Sequence, residues 1–277
     1  NGSVKRYHAN GQLMVDGYFR MNEQDSIQRT YSAEGKLVEE GYFTKGSKTG
    51  RWNYFFPTGD TLMVEEFRNG EELLWVYCDA NKLRTVSAGN GVMEEKLDNG
   101  KTLRSSSYKN GRLDGPYLEN YNGSSPRIRG NYKEGKEDGK WEELYPSGNI
   151  KRLSHFTLGV LNGPFAENYS NGKPSVQGQY NNGKKTGHWI WHMENGSKDM
   201  EGDFDHDLQQ GEWTFYFGNG EREYWGTYDK GKMNGFWQWQ YWGGTKWKEG
   251  NMVNDKKHGF WKYWYESTKP LMEGNFN

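Results

Sequence analysis

The sequence predicts an all-β chain, an elongated single-layer antiparallel sheet of stacked β-hairpin repeats of about 24 residues. Two glycines keep a fixed period. The first falls at Gly178, Gly202, Gly226, Gly250 and Gly274, the second at Gly187, Gly211, Gly235 and Gly259, each 24 residues after the last. Asn-Gly pairs recur near one repeat place, at Asn10-Gly11, Asn99-Gly100, Asn122-Gly123, Asn171-Gly172, Asn195-Gly196 and Asn219-Gly220. Asn-Gly is a strong hairpin signal because both residues tolerate positive φ. No segment shows a 3.6-residue hydrophobic period, so almost no helix is expected.

Composition supports a thin sheet. Hydrophobic residues make up only 32%, half of that aromatic at 16%, and mean hydropathy is -1.13. Such a chain cannot build a thick aliphatic core, but rings that each bury roughly 150–250 Å² can stabilise a sheet with few buried places. The 13 Trp and 19 Tyr argue against disorder, whose segments are poor in aromatics. With 36 basic and 37 acidic residues and a net charge of -1, there is no basic footprint for nucleic acid or anionic lipid. No apolar run approaches the ~20 residues of a spanning helix, so direct membrane insertion by this segment is not expected. Cys78 stands alone, without a disulfide partner or a metal spacing.

Each unit is read from its first glycine. An aromatic follows two residues on, at Phe19, Phe43, Phe67, Tyr108, Tyr132, Phe156, Tyr180, Phe204, Tyr228 and Phe276, with Met252 the aliphatic exception. Two residues after the second glycine comes a large side chain, at Trp52, Met93, Tyr117, Trp141, Phe165, Trp189, Trp213, Trp237 and Trp261. Strand one of each hairpin carries these residues, and strand two carries apolar residues such as Leu37, Ile150, Val176 and Met200. The Gly-Lys-x-x-Gly stretch returns the chain to the next unit.

The regular pattern has three regions. Residues 1–72 hold the N-terminal repeats. The chain opens within a unit, which suggests a processing boundary, and the unit from Gly17 is degenerate, with Ser26 at the second-glycine place and Gln28 at the ring place. Residues 73–90 break the register: Leu74 is read at a second-glycine place and the next, Gly91, follows after 17 residues. An irregular or shortened hairpin is expected there, with a bend. Residues 91–277 resume the repeat.

The unit Gly-x-Tyr-x-x-Gly-Lys-x-x-Gly-x-Trp-x-x-x-Tyr, seen from Gly130 to Tyr145, resembles a MORN repeat, and more closely the bacterial MORN-repeat variant family. The resemblance covers essentially the whole chain. It implies a single-layer sheet of stacked hairpins with a shallow groove along one face. Some bacterial members carry antitoxin labels, and eukaryotic relatives act as scaffolds or membrane-associated linkers.

Strand alternation puts one variable place on the same face as the ring place, two residues beyond it. Its occupants after Tyr54 are Glu95, Glu119, Glu143 and Glu167, then Trp191, Phe215, Trp239 and Tyr263. The glutamates suit basic side chains and the rings suit a chain or a sugar face; the same residues also suit a plain groove floor. Trp225, Trp242, Trp247 and Trp264 are read as further exposed rings at the C-terminal end.

Other motifs carry less. Gly183-Lys-Lys-Thr lacks the Walker spacing and precedes a strand. Asp203, Asp205 and Asp207 around His206 lack the glycine and distal glutamate of a calcium loop. His188 and His192 lie on a predicted strand and do not share a helical face. No metal or other cofactor is expected. A regular repeat brings like residues together, whereas a catalytic site needs different ones, so no enzymatic activity is expected. The sequence is read as a non-enzymatic scaffold binding a protein partner along its groove, in a bacterial cell-envelope assembly as a lipoprotein or extracellular protein, with a cytoplasmic setting as the alternative. A carbohydrate-binding protein that takes a polysaccharide on its aromatic ladder is the second reading, and an antitoxin-like inhibitor the third.

Overall fold

The computed structural model describes residues 1–277 and is all-β, with 25 strands, no helix and only antiparallel pairings in an open sheet of successive hairpins. It divides into two compact units, residues 1–124 with 131–136, and residues 125–130 with 137–277. In the first, strands from Gly2–Tyr7 to Arg112–Tyr121 each pair with the next. In the second, the same serial pairing runs to the last strand, Pro270–Phe276, with a two-residue strand, Val160–Leu161, as its shortest member.

The two hairpin connections of each repeat divide their chemistry differently from the sequence expectation. The two-residue turns with positive φ at both places precede the Lys-x-x-Gly stretch, as at Asn182 (48°) and Gly183 (80°) or Lys230 (49°) and Gly231 (80°). Their twist matches that of the flanking strands. At five of the six recurrent Asn-Gly pairs named above, Asn122-Gly123 being the exception, only the glycine has positive φ. There Met193 N donates to Ser197 O at 2.8 Å and Gly196 N to Met193 O at 2.8 Å, a wider turn. Asn195 serves it through its side chain: Oδ1 accepts from Ser197 N at 2.9 Å, an Asx turn that needs no positive φ.

The second glycine makes a bulge. Gly202 faces Trp213 and Asp203 faces Gln210, so Gly211 (φ 72°) and Glu212 are unmatched on that side. The extra residues turn the following ring onto the first glycine of the preceding strand. A Cβ at Gly41, Gly178, Gly202, Gly226 or Gly250 would stand 2.1–2.3 Å from the indole of Trp52, Trp189, Trp213, Trp237 or Trp261 respectively. These five indoles are the largest fully buried side chains, each below 2% exposed. In four of the five the aromatic two residues after the first glycine meets the indole edge-on, as Tyr228 meets Trp237 at 5.2 Å and 90°, and at Trp261 that place is Met252. Trp237 Nε1 donates to Thr227 O at 3.1 Å, and Trp52, Trp213 and Trp261 repeat that bond.

The fit is adjusted where the ring changes. Buried Ser106 replaces the first glycine and faces Tyr117, and buried Ser154 does so beside Phe165. A smaller ring leaves room for a hydroxymethyl group. In the irregular unit Glu65 takes the glycine's place and faces Leu74. Leu74 thus stands where a ring stands elsewhere and not at a second-glycine place, because this bulge holds one residue, Trp75, and not two. The strands that follow are Glu71–Cys78 and the four-residue Arg84–Ser87, and Cys78 is buried and unpaired.

Candidate functional site

Cross-strand register assembles the candidate residues into rows of directly facing side chains. In the second unit one row runs Glu143, Arg152, Glu167, Val176, Trp191, Met200, Phe215, Tyr224, Trp239, Lys248, Tyr263 and Met272. In the first unit a shorter row runs Glu95, Arg104 and Glu119. Neighbours across strands lie ~4.8 Å apart. Every second member of the row in the second unit comes from the strand that holds the first-glycine place, two residues before it, where the sequence reading named Val176 and Met200 only as apolar strand residues.

Those interleaved members change the character of the acidic half. Arg104 stands between Glu95 and Glu119 and is ion-paired with Glu95. Tyr117 Oη donates to Glu119 at 3.3 Å. Arg152 stands between Glu143 and Glu167, and Glu143 accepts from Lys151 at 2.7 Å and Arg152 at 2.9 Å. The Lys151 hydrogen bond holds the Glu143 carboxyl below the usual carboxylate range, with the Arg152 charge adding to it. The expected ladder of carboxylates is therefore a sequence of alternating charges that neutralise one another.

The aromatic half is a continuous stack. Trp191 stacks on Trp189 at 5.7 Å and lies 6.0 Å from Trp213. Phe215 lies flat on Tyr224 at 4.2 Å and 12°, Tyr224 on Trp239 at 6.3 Å and 17°, and Trp239 meets Trp261 at 5.6 Å. Tyr263 packs on Trp261 at 6.1 Å. All four predicted rings are half-buried, each packed on an intervening or neighbouring ring.

Lysines that the sequence reading passed over cover the remaining ring faces. Lys185 Nζ lies 4.9 Å from the Trp189 ring and 5.4 Å from that of Trp191. Lys257 Nζ lies within about 5 Å of Trp261, Tyr263 and Phe276 and donates to Tyr263 Oη at 2.6 Å. Lys48 repeats the arrangement on Trp52 at 4.0 Å, with a 2.8 Å hydrogen bond to Tyr54 Oη. Lys48, Lys185 and Lys257 share one repeat place, seven residues after Gly41, Gly178 and Gly250, and that spacing was the signal available in the sequence. Lys248 has a different origin, lying in the row between Trp239 and Tyr263 with Nζ 4.5 Å from Trp239 and 4.2 Å from Trp247.

Two of the four further tryptophans are open: Trp242 is 60% and Trp247 39% exposed. Trp225 and Trp264 are half-buried, contrary to expectation, beneath Arg222 at 5.4 Å and Lys246 at 5.4 Å. The other sequence candidates separate. Asp203 bonds His188 at 2.9 Å, Asp205 bonds His206 at 2.5 Å, and Asp207 accepts from Lys185 N at 2.8 Å.

A half-open pocket of about 490 Å³ at the irregular unit is lined by Glu65, Glu72, Leu74, Met93, Arg104 and Tyr108 among others. Burial raises the Glu65 carboxyl to about 7, against the Tyr54 hydrogen bond and with the neighbouring Glu72 carboxylate adding to the rise. Burial also raises Tyr108 to about 12. Glu72 occupies the repeat place that holds lysine at Lys48, so this unit places two carboxyls where others place a glycine and an ammonium group.

Serial hairpins, a buried file of indoles and a periodic face define a β-hairpin repeat protein. A family model described as MORN repeat variant matches residues 1–20 and 137–157, a match that supports the MORN-repeat reading of these hairpins. No curated protein matches it in sequence. Among solved structures, the crystal structure of TcdB2-TccC3 is 8% identical over 99% of this chain and 18% of its own, with a TM-score of 0.18. The Photorhabdus luminescens Tc holotoxin pore is 10% identical over 99% and 18%, with a TM-score of 0.21. An alternansucrase in complex with isomaltononaose is 15% identical over 98% and 18%, with a TM-score of 0.19. The chain spans less than a fifth of each of these, and likenesses at these scores bear on neither partner nor activity.

Proposed function

We propose that this chain is a non-enzymatic repeat scaffold that binds a protein partner along the row from Glu143 to Met272. The supporting observation is how the rings are used. Sugar recognition on an aromatic platform needs an open ring face, but Phe215, Tyr224 and Trp239 lie face to face, and Lys185, Lys248 and Lys257 cover neighbouring indoles. What the row offers outward is a mixture of ring edges, methionine, tyrosine and charged ends. Half-buried aromatic and methionine surface with a polar margin is the composition of protein interfaces.

Affinity capture with the wild type and three variants tests this. Trp239→Ala and Glu143→Lys are expected to lose the captured partner, while Phe236→Ala, on an exposed residue of the opposite face, keeps it. A partner retained by both row variants removes the row from the interface. Selective binding of a neutral polysaccharide would favour the carbohydrate reading.

A further inference from the structure

We propose that the C-terminal end of the row takes an acidic segment of a protein partner, with its carboxylates seated on Lys248 and Lys257. This rests on the protein-binding reading above. Two lysines of nearby strands have counter-charges: Lys246 pairs with Glu249 at 2.9 Å and Lys198 with Glu201 at 2.6 Å. Lys248 and Lys257 have no carboxylate within ion-pair distance. Each ammonium group rests on rings, Lys248 between Trp239 and Trp247 and Lys257 over Trp261, Tyr263 and Phe276. A ring face attracts a cation but leaves its outward N–H groups without acceptors.

The two cations also belong to one locality. Lys248 faces Tyr263 across the strands, and Lys257 donates to that tyrosine's Oη at 2.6 Å. Burial holds Lys248 below its ordinary value, and the Lys257 charge lowers it further. Bringing like charges together on a half-buried face is unfavourable, and an incoming carboxylate would relieve the repulsion while completing the hydrogen bonding of both groups. At the opposite end of the row, Arg152 neutralises Glu143. Between Trp191 and Met272 the row's one charged member is the cation Lys248, and Lys257 adds a second cation beside it. Phe215, Tyr224 and exposed Met272 flank it with apolar surface, which suits a peptide that alternates carboxylates with hydrophobic side chains better than a uniformly hydroxylated sugar chain.

A labelled alternating glutamate–leucine dodecapeptide, followed by fluorescence anisotropy on the whole chain, is the test. It should bind with an affinity that falls as salt rises. The double variant Lys248→Gln with Lys257→Gln should raise its Kd about tenfold, a change expected for losing charge-assisted hydrogen bonds. Lys248→Arg should retain binding, and Lys262→Gln, on the opposite face, should leave it unchanged. Equal affinity for wild type and double variant overturns the proposal, as does tighter binding of polygalacturonate than of the peptide. If the double variant also keeps the captured partner while Trp239→Ala loses it, the acidic segment is excluded and the protein-binding row stands. If none of these changes affects the partner, both fail.

Discussion

At Gly226 an added Cβ would lie 2.2 Å from Cδ2 of Trp237, a distance that no folded side chain tolerates. Gly226→Ala must push the buried indole off its seat, at a cost of about 3 kcal/mol for overpacking. The chain itself supplies the compensation, since Ser106 faces the smaller ring of Tyr117. Combining Gly226→Ala with Trp237→Phe is therefore expected to cost less than the sum of the two single changes, by about 1–2 kcal/mol in a urea-denaturation cycle. Additivity within about 0.5 kcal/mol would mean that the glycine is kept for another reason. The spacing of these glycines and rings was legible in the sequence. Their direct contact was not, because it depends on the bulge that shifts the register by two residues.

Among the strands, the bulge is the device that repeats. Ser26 holds the bulge place of the degenerate unit at φ 67°, in the left-handed region that an L-residue enters at a cost. Ser26→Gly should raise stability by about 1 kcal/mol, or about 3 °C in Tm, if the backbone keeps its course. A lowered Tm would show that the serine side chain matters more than its backbone. Hairpin existence was readable from Asn-Gly and Gly-Lys spacings, whereas turn type was not. Asn-Gly serves either as two positive-φ residues or as an Asx turn followed by a left-handed glycine, and the loop length that decides between them emerges only when the strands pair.

Over the whole chain the acidic groups divide by the sign of their pH response. Glu143 is depressed, so its contribution is present above its unfolded value and is lost as pH falls through the folded one. Glu142 acts the same way: burial would raise it, but hydrogen bonds from Lys140 and Arg129 outweigh that effect. Glu65 has the opposite sign, raised from 4.5 to about 7. The folded chain keeps a proton there that the unfolded chain releases, so stability from this site is full below about 4.5 and is lost as pH rises through about 7. Glu65→Gln, which cannot ionise, should match the wild type near pH 4.5 and exceed it by about 3 °C in Tm at pH 8. A difference between the two proteins that does not change with pH would show that Glu65 is not the group responsible. Its replacement of a first glycine is visible in the sequence, but its surroundings are not, because Leu74 reaches it through a bulge one residue shorter than the others.

The sequence by itself determined the repeat, the two-residue alternation, the ring file and the common face of Trp191, Phe215, Trp239 and Tyr263, since each follows from spacing along one strand. Only the tertiary structure decided what lies between those residues. Arg104 and Arg152 split the glutamates, Tyr224 and Lys248 complete the aromatic row, and lysines seven residues past a first glycine cover the indoles. The physical reason is that facing partners belong to neighbouring strands. Which residue faces which is set by turn length and bulge size together, and neither quantity is written in the alternation of a single strand.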